Sequence, residues 1–138
     1  MLPVTAATIR LFLHVLGATV WVGGQITLAG LVPGLRTLGP EAGPEATRAA
    51  ARRFNLIAWP AFALLVVTGV WNIAAEHPTF GTAYTTTLMV KIVVVAASGI
   101  TALIHTQAKS RTMLAVFGAL TGITALAALF LGIMLANG

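Results

Sequence analysis

Long apolar stretches, separated by short segments rich in Gly, Pro and charged residues, dominate the pattern along the chain. A transmembrane helix needs about 20 consecutive, mostly apolar residues. Four stretches reach that length, at about residues 11–32, 54–75, 83–106 and 112–136. The pattern predicts an all-α integral membrane protein, a four-helix bundle in which residues 1–138 form a single four-span domain.

Proline and glycine positions predict how the first two spans begin and end. Pro33 and Gly34 follow the first apolar stretch, so we expect that helix to stop there. After the Gly- and Pro-rich residues 39–44, the segment 45–53 has Glu early and Arg late, which favours an amphipathic helix. We expect this lead-in helix to run straight into the second span, with a kink at Pro60.

Basic residues are confined to two of the three predicted loops. The basic side chains of the first and third loops are Arg36, Arg48, Arg52, Arg53, Lys109 and Arg111. The second loop, residues 76–82, contains none. Cytoplasmic loops of membrane proteins carry an excess of Lys and Arg. The pattern therefore predicts a multi-pass protein of the plasma (inner) membrane, with cytoplasmic first and third loops and with both termini and the second loop outside.

The composition agrees with a surface that faces the lipid bilayer. Of the residues, 58% are hydrophobic and 8% are charged, whereas a soluble domain carries about 25% charged residues. The net charge of +5 comes mainly from cations near helix ends, where they act as orientation signals, so nucleic acid is not expected as a partner. The chain has no cysteine, which excludes thiolate ligands, and its acidic residues lie in predicted loops, which excludes a membrane-embedded carboxylate pair for hydrolysis.

Three basic ionisable residues lie within the predicted spans: His14, Lys91 and His105. An ionisable residue at the bilayer centre costs at least about 2.5 kcal/mol, so each is a candidate functional residue. With a rise of about 1.5 Å per residue, His14 lies roughly 5–9 Å and Lys91 roughly 10 Å below the predicted outer surface. We therefore expect both in one layer of the outer leaflet. The alternatives are a core histidine bonded to a neighbouring helix for His14, snorkelling for Lys91 and a solvated position at the cytoplasmic rim for His105.

Helical periodicity and loop position add further candidates near His14. These are Trp21 and Gln25 on the first span, and Trp71 and Asn72 at the end of the second. Neutral imidazole binds transition metals and haem, and thioethers suit Cu(I). The pattern therefore indicates a metal site formed by His14, His77 and Met134. Packing is the alternative role for the tryptophans and for Met134.

Three segments carry the pattern of a known family. They are LHVLGATVWVGGQITL at residues 13–28, RRFNLIAWPAFALLVVTGVWN at 52–72 and LMVKIVVV at 88–95. In order and spacing they resemble the membrane domain of the copper resistance protein D family. The resemblance implies a non-enzymatic membrane protein of copper binding, import or tolerance, with roles for His14 and Lys91. Larger members carry more helices, so a complete transport path would need a second copy, in a homodimer or a larger membrane complex.

The combination of a first-helix His with a Lys deeper in the chain is also similar, more distantly, to the short membrane-bound protoporphyrinogen oxidases of haem synthesis. The alternative hypothesis is therefore a haem b protein, with His14 as axial ligand and Arg10 or Lys91 paired with the propionates. A haem-linked oxidoreductase is the enzymatic form of this alternative. A cation stabilises a propionate but opposes a copper ion. A purely structural subunit of a larger membrane complex is the third hypothesis.

Overall fold

The computed structural model describes residues 1–75 and 81–137, and all regular secondary structure within them is helical. The four helices are α1 (Ala6–Arg36), α2 (Ala42–Ala75), α3 (Thr82–Gln107) and α4 (Arg111–Asn137). Each is long and apolar enough to cross a membrane. The predicted all-α class with four membrane-length helices is confirmed, while the sidedness of termini and loops stays a prediction.

The distribution of side chains is the reverse of that in a soluble protein. Large apolar side chains are exposed, among them Phe12 at 64% and Val67 at 63%. The most deeply buried side chains are small or weakly polar, with Ala58, Thr68 and Ser98 each 1% exposed. In a membrane, acyl chains solvate the large apolar groups, and small residues allow helices to approach closely. The burial pattern therefore agrees with helices that span a bilayer.

Helix α1 is longer than the sequence pattern predicts. A capping box between Thr5 and Thr8 begins it at Ala6. A π-helical segment, Thr19–Gly23, interrupts its α-helical hydrogen bonding. The expectation that Pro33 and the following glycine end the helix is wrong, because it continues to Arg36. A proline removes only one backbone donor, and the remaining hydrogen bonds of the last turn still form.

Helix α2 begins at Ala42, so the predicted lead-in segment 45–53 is helical and continuous with the apolar span. Gly39, with a φ of 105°, allows the tight reversal that precedes it. Pro60 lies inside the helix, which continues on both sides of it. With 34 residues, α2 is about 51 Å long at the α-helical rise, longer than the hydrocarbon layer is thick.

The chain divides into two compact units, the first containing α1 and α2 and the second containing α3 and α4. Within each unit the two helices pack antiparallel. In the first unit glycine permits close approach: a Cβ at Gly17 would lie 3.0 Å from the Ala61 carbonyl oxygen. Between α3 and α4, glycines of α4 likewise lie against polar side chains of α3. Helix packing of this kind positions the polar side chains that connect the two helices of each unit.

Candidate functional site

Two polar pairs connect α1 and α2 near the start of α1 and the end of α2. Arg10 and His14 are four residues apart on α1, and Thr68 and Asn72 are four residues apart on α2. Residues at this spacing lie on one helical face, one turn apart. Because the helices run antiparallel, Arg10 pairs with Asn72 and His14 pairs with Thr68. We call these four residues the polar ladder.

The hydrogen bonds of Thr68 determine the tautomer of His14. Thr68 Oγ1 donates its single proton to the Leu64 carbonyl oxygen at 2.6 Å. The same Oγ1 lies 2.8 Å from His14 Nδ1, so it must accept a proton from that nitrogen. The neutral ring then carries its lone pair on Nε2, the atom that binds metals or accepts protons. A hydrogen bond that orients a ligating histidine in this way is a common feature of metal and haem sites.

Arg10 places a permanent positive charge one helical turn from His14. The side chain is only 6% exposed, although arginine is rarely buried in proteins. Its Nε donates to the Asn72 side-chain oxygen. A buried guanidinium needs several hydrogen-bond acceptors, because removing the charge from water is costly. Arg10 therefore places a cation in the buried part of the first unit, one turn from His14.

The other candidates in the first unit have different surroundings. Trp21 is 5% exposed, and its ring centroid lies 4.5 Å from that of Phe62 and 5.7 Å from that of Trp59. This aromatic cluster supports packing as the role of Trp21. Gln25 Nε2 is buried with no hydrogen-bond partner among residues 1–75 and 81–137. Trp71 is 43% exposed, whereas its neighbour in sequence, Asn72, is hydrogen-bonded within the polar ladder.

In the second unit, Lys91 and His105 of α3 both lie against glycines of α4. A Cβ at Gly132 would lie 3.0 Å from Lys91 Nζ, and one at Gly118 would lie 3.0 Å from His105 Cε1. The His105 Nδ1 atom is buried and has no partner within the described part of the chain. His105 is half-buried, with its ring against α4 at Gly118, so the alternative of a solvated position at the rim stays a prediction for the rest of the side chain.

The predicted metal ligands are only partly described. His14 lies in the polar ladder, and Met134 on α4 is 46% exposed. His77 lies outside the described residues. Among the residues that are described, no group of three His, Cys, Asp or Glu side chains could hold a metal ion. A three-ligand site therefore stays a prediction.

Sequence reasoning identified Arg10, His14 and Asn72 separately but did not predict how they pair across the two helices. The signal was the matched four-residue spacing of Arg10 and His14 on α1 and of Thr68 and Asn72 on α2. The contacts of Gly132 with Lys91 and of Gly118 with His105 were also missed, although fourteen residues separate Lys91 from His105 and fourteen separate Gly118 from Gly132.

Comparison with protein-family models, with curated proteins and with solved structures finds no match for this chain.

Proposed function

We propose that this protein binds haem b in the membrane, with His14 as an axial ligand to iron. The observation that carries the proposal is the His14–Thr68 hydrogen bond, which fixes the tautomer in which Nε2, the metal-binding nitrogen, carries the lone pair. Arg10, one turn away, supplies a cation of the kind that pairs with a haem propionate. The residues of the polar ladder thus fit the two chemical requirements of the group.

The number of ligands that each group needs also favours haem over copper. Haem requires one or two axial protein ligands, because the porphyrin supplies the other four. A copper ion depends on several protein ligands of the His, Cys or Met type. Within residues 1–75 and 81–137, no cluster of three potential ligands of the His, Cys, Asp or Glu type is present. One oriented histidine meets the ligand requirement of haem, whereas copper would need further ligands such as His77, which lies outside the described residues.

Each ladder residue has a defined role in this proposal. Thr68 holds the imidazole ring of His14 in one tautomer, and Asn72 holds the guanidinium of Arg10. Bound haem would supply one-electron redox chemistry. The apolar outer surfaces of both helices keep the site within the membrane, where charges are poorly screened and the pairing of Arg10 with an anion is strengthened.

An optical spectrum of the purified protein, before and after reconstitution with haemin, tests the proposal. The wild type should show a Soret band at a stoichiometry of about one haem per chain or per pair of chains. His14→Ala should weaken haem binding at least tenfold, which is about 1.4 kcal/mol. His105→Ala is the matched control, since it removes a half-buried histidine outside the polar ladder. An unchanged Soret band in His14→Ala would refute the proposal.

Copper handling is the second candidate, favoured by the three segments that resemble the copper resistance protein D family. In this case His14 would bind copper as cargo together with His77 and Met134, and two copies of the chain would complete the path. Metal analysis after incubation with Cu(I) separates the two candidates. Stoichiometric copper binding that is lost in both His14→Ala and Met134→Ala would favour copper handling. A Soret band lost only in His14→Ala favours haem.

We also propose that the plasma membrane is the site of the protein and that the loops before α2 and before α4 are cytoplasmic. The support is the confinement of loop cations to these two segments. The polar ladder, at the opposite end of α2 from those cations, would then lie near the outer face.

A further inference from the structure

The first turns of α2 carry three arginines, Arg48, Arg52 and Arg53, and all three side chains are exposed. No hydrogen bond or ion pair connects their guanidinium groups with another described residue, including the exposed acids Glu41 and Glu45. Three arginines on a single helix without acidic partners produce a concentrated positive surface. Such a surface attracts anions from its surroundings.

The position of this surface along α2 defines which anions it meets. The apolar part of the helix starts at Phe54, directly after Arg53. From there to Ala75, at about 1.5 Å per residue, the helix is long enough to cross the hydrocarbon layer. Arg52 and Arg53 therefore lie at the level of the phospholipid headgroups.

A shallow hollow in the surface of α2 lies at the same level. It is lined by Ala49, Arg52, Arg53, Asn55 and Leu56. Two guanidinium groups and an amide form its polar part, and Leu56, which is 68% exposed, extends from it toward the apolar span. Guanidinium groups bind phosphate oxygens through paired hydrogen bonds. The hollow thus places phosphate-binding groups next to an apolar surface. This arrangement is complementary to a phospholipid, in which the phosphate lies next to the acyl chains.

We propose that this hollow is a binding site for the headgroup of an anionic phospholipid. Arg52 and Arg53 bind the phosphate, Asn55 donates to a headgroup or glycerol oxygen, and Leu56 contacts the start of an acyl chain. An orientation signal needs only positive charge, which Lys provides equally well. The site requires guanidinium geometry as well, and this difference makes the proposal testable.

The experiment measures retention of phosphatidylglycerol by the purified full-length protein, with phosphatidylcholine as the neutral reference lipid. Native mass spectrometry after delipidation and back-titration gives the affinity. The double variant Arg52→Gln/Arg53→Gln should bind phosphatidylglycerol at least about tenfold more weakly, because both guanidinium groups that bind the phosphate are removed. The matched control, Lys109→Gln/Arg111→Gln, removes two cations from the loop before α4 and should retain wild-type affinity.

A charge-conserving variant keeps the test valid if the glutamine variant does not fold. Arg52→Lys/Arg53→Lys preserves net charge and insertion but loses the paired hydrogen bonds, so affinity should fall by about threefold or more. Unchanged affinity in the lysine variant, or an equal loss in the Lys109/Arg111 control, would reduce the effect to general electrostatic attraction and overturn the proposal. Displacement of the lipid by millimolar inorganic phosphate would also overturn it, since the site would then be one for free phosphate.

Discussion

The ammonium group of Lys91 lies against Gly132, so closely that a Cβ at Gly132 would come within 3.0 Å of Nζ. His105 has the same relationship with Gly118. Lys91 and His105 are fourteen residues apart on α3, and Gly118 and Gly132 are fourteen residues apart on α4, which is two heptads. A seven-residue repeat is the period at which two helices keep the same faces in contact. Lys91 therefore has a defined place in the packing of α3 on α4, whereas a snorkelling side chain would extend toward the membrane surface.

The contact between Lys91 and Gly132 predicts energetic coupling between these two positions. Gly132→Ala should destabilise the protein relative to Gly122→Ala, because nothing lies within 4 Å of a Cβ at Gly122. In a Lys91→Ala background the difference should disappear, since the shortened side chain leaves room. A double-mutant cycle in detergent, measured by thermal unfolding, should give a coupling energy of about 0.5–1 kcal/mol. No coupling would show that Lys91 is held elsewhere.

The close approach of α1 and α2 predicts that Gly17 tolerates no side chain. A Cβ there would lie 3.0 Å from both the Ala61 carbonyl oxygen and Leu65 Cγ. Because a backbone carbonyl cannot move aside independently, Gly17→Ala should lower stability by about 1–3 kcal/mol. Gly30→Ala is the matched control on the same helix, since a Cβ at Gly30 meets nothing within 4 Å. Equal unfolding temperatures for the two variants would contradict a close approach of α1 and α2 at Gly17.

The hydrogen bond between Thr68 and His14 predicts that Thr68 is a positioning residue in the haem proposal. Thr68→Val keeps the shape of the side chain but removes the acceptor of His14 Nδ1. Haem affinity should fall by about 10–100-fold, as is typical when a group that orients a ligand is lost. Thr68→Ser should restore it, because the hydroxyl returns. Haem titration of both variants, with the midpoint potential as a second readout, checks this. Identical haem affinity and midpoint potential in Thr68→Val and wild type would show that Thr68 does not position His14.

The distribution of basic residues predicts opposite accessibility of the loops. The chain has no native cysteine, so single cysteines provide labelling sites without background. Glu41→Cys and Ser110→Cys, both at exposed positions, should react with a membrane-impermeant thiol reagent only from the cytoplasmic side. Thr82→Cys, exposed at the start of α3, should react only from outside. Reaction of all three from one side would contradict four crossings.

Sequence reasoning was most successful for properties that depend on local composition. The number of helices and their membrane character follow from apolar length alone, because every backbone group in a bilayer must be hydrogen-bonded within the span. Helix ends were less predictable. Pro33 was expected to end α1, yet the helix continues to Arg36, because the loss of one backbone donor does not outweigh the hydrogen bonds that remain.

The pairings of the candidate site required the tertiary structure. Sequence spacing placed His14 and Lys91 on inward-facing stripes, but it contained no information on which residue of a facing helix lies opposite each of them. That depends on the register between helices, which is set by close contacts such as that of Gly17 with Ala61. The sequence by itself therefore determined four membrane-length helices, since backbone hydrogen bonding and apolar length are local properties. Only the tertiary structure decided that Thr68 orients His14, because a pair separated by 54 residues forms only when two helices pack in one particular register.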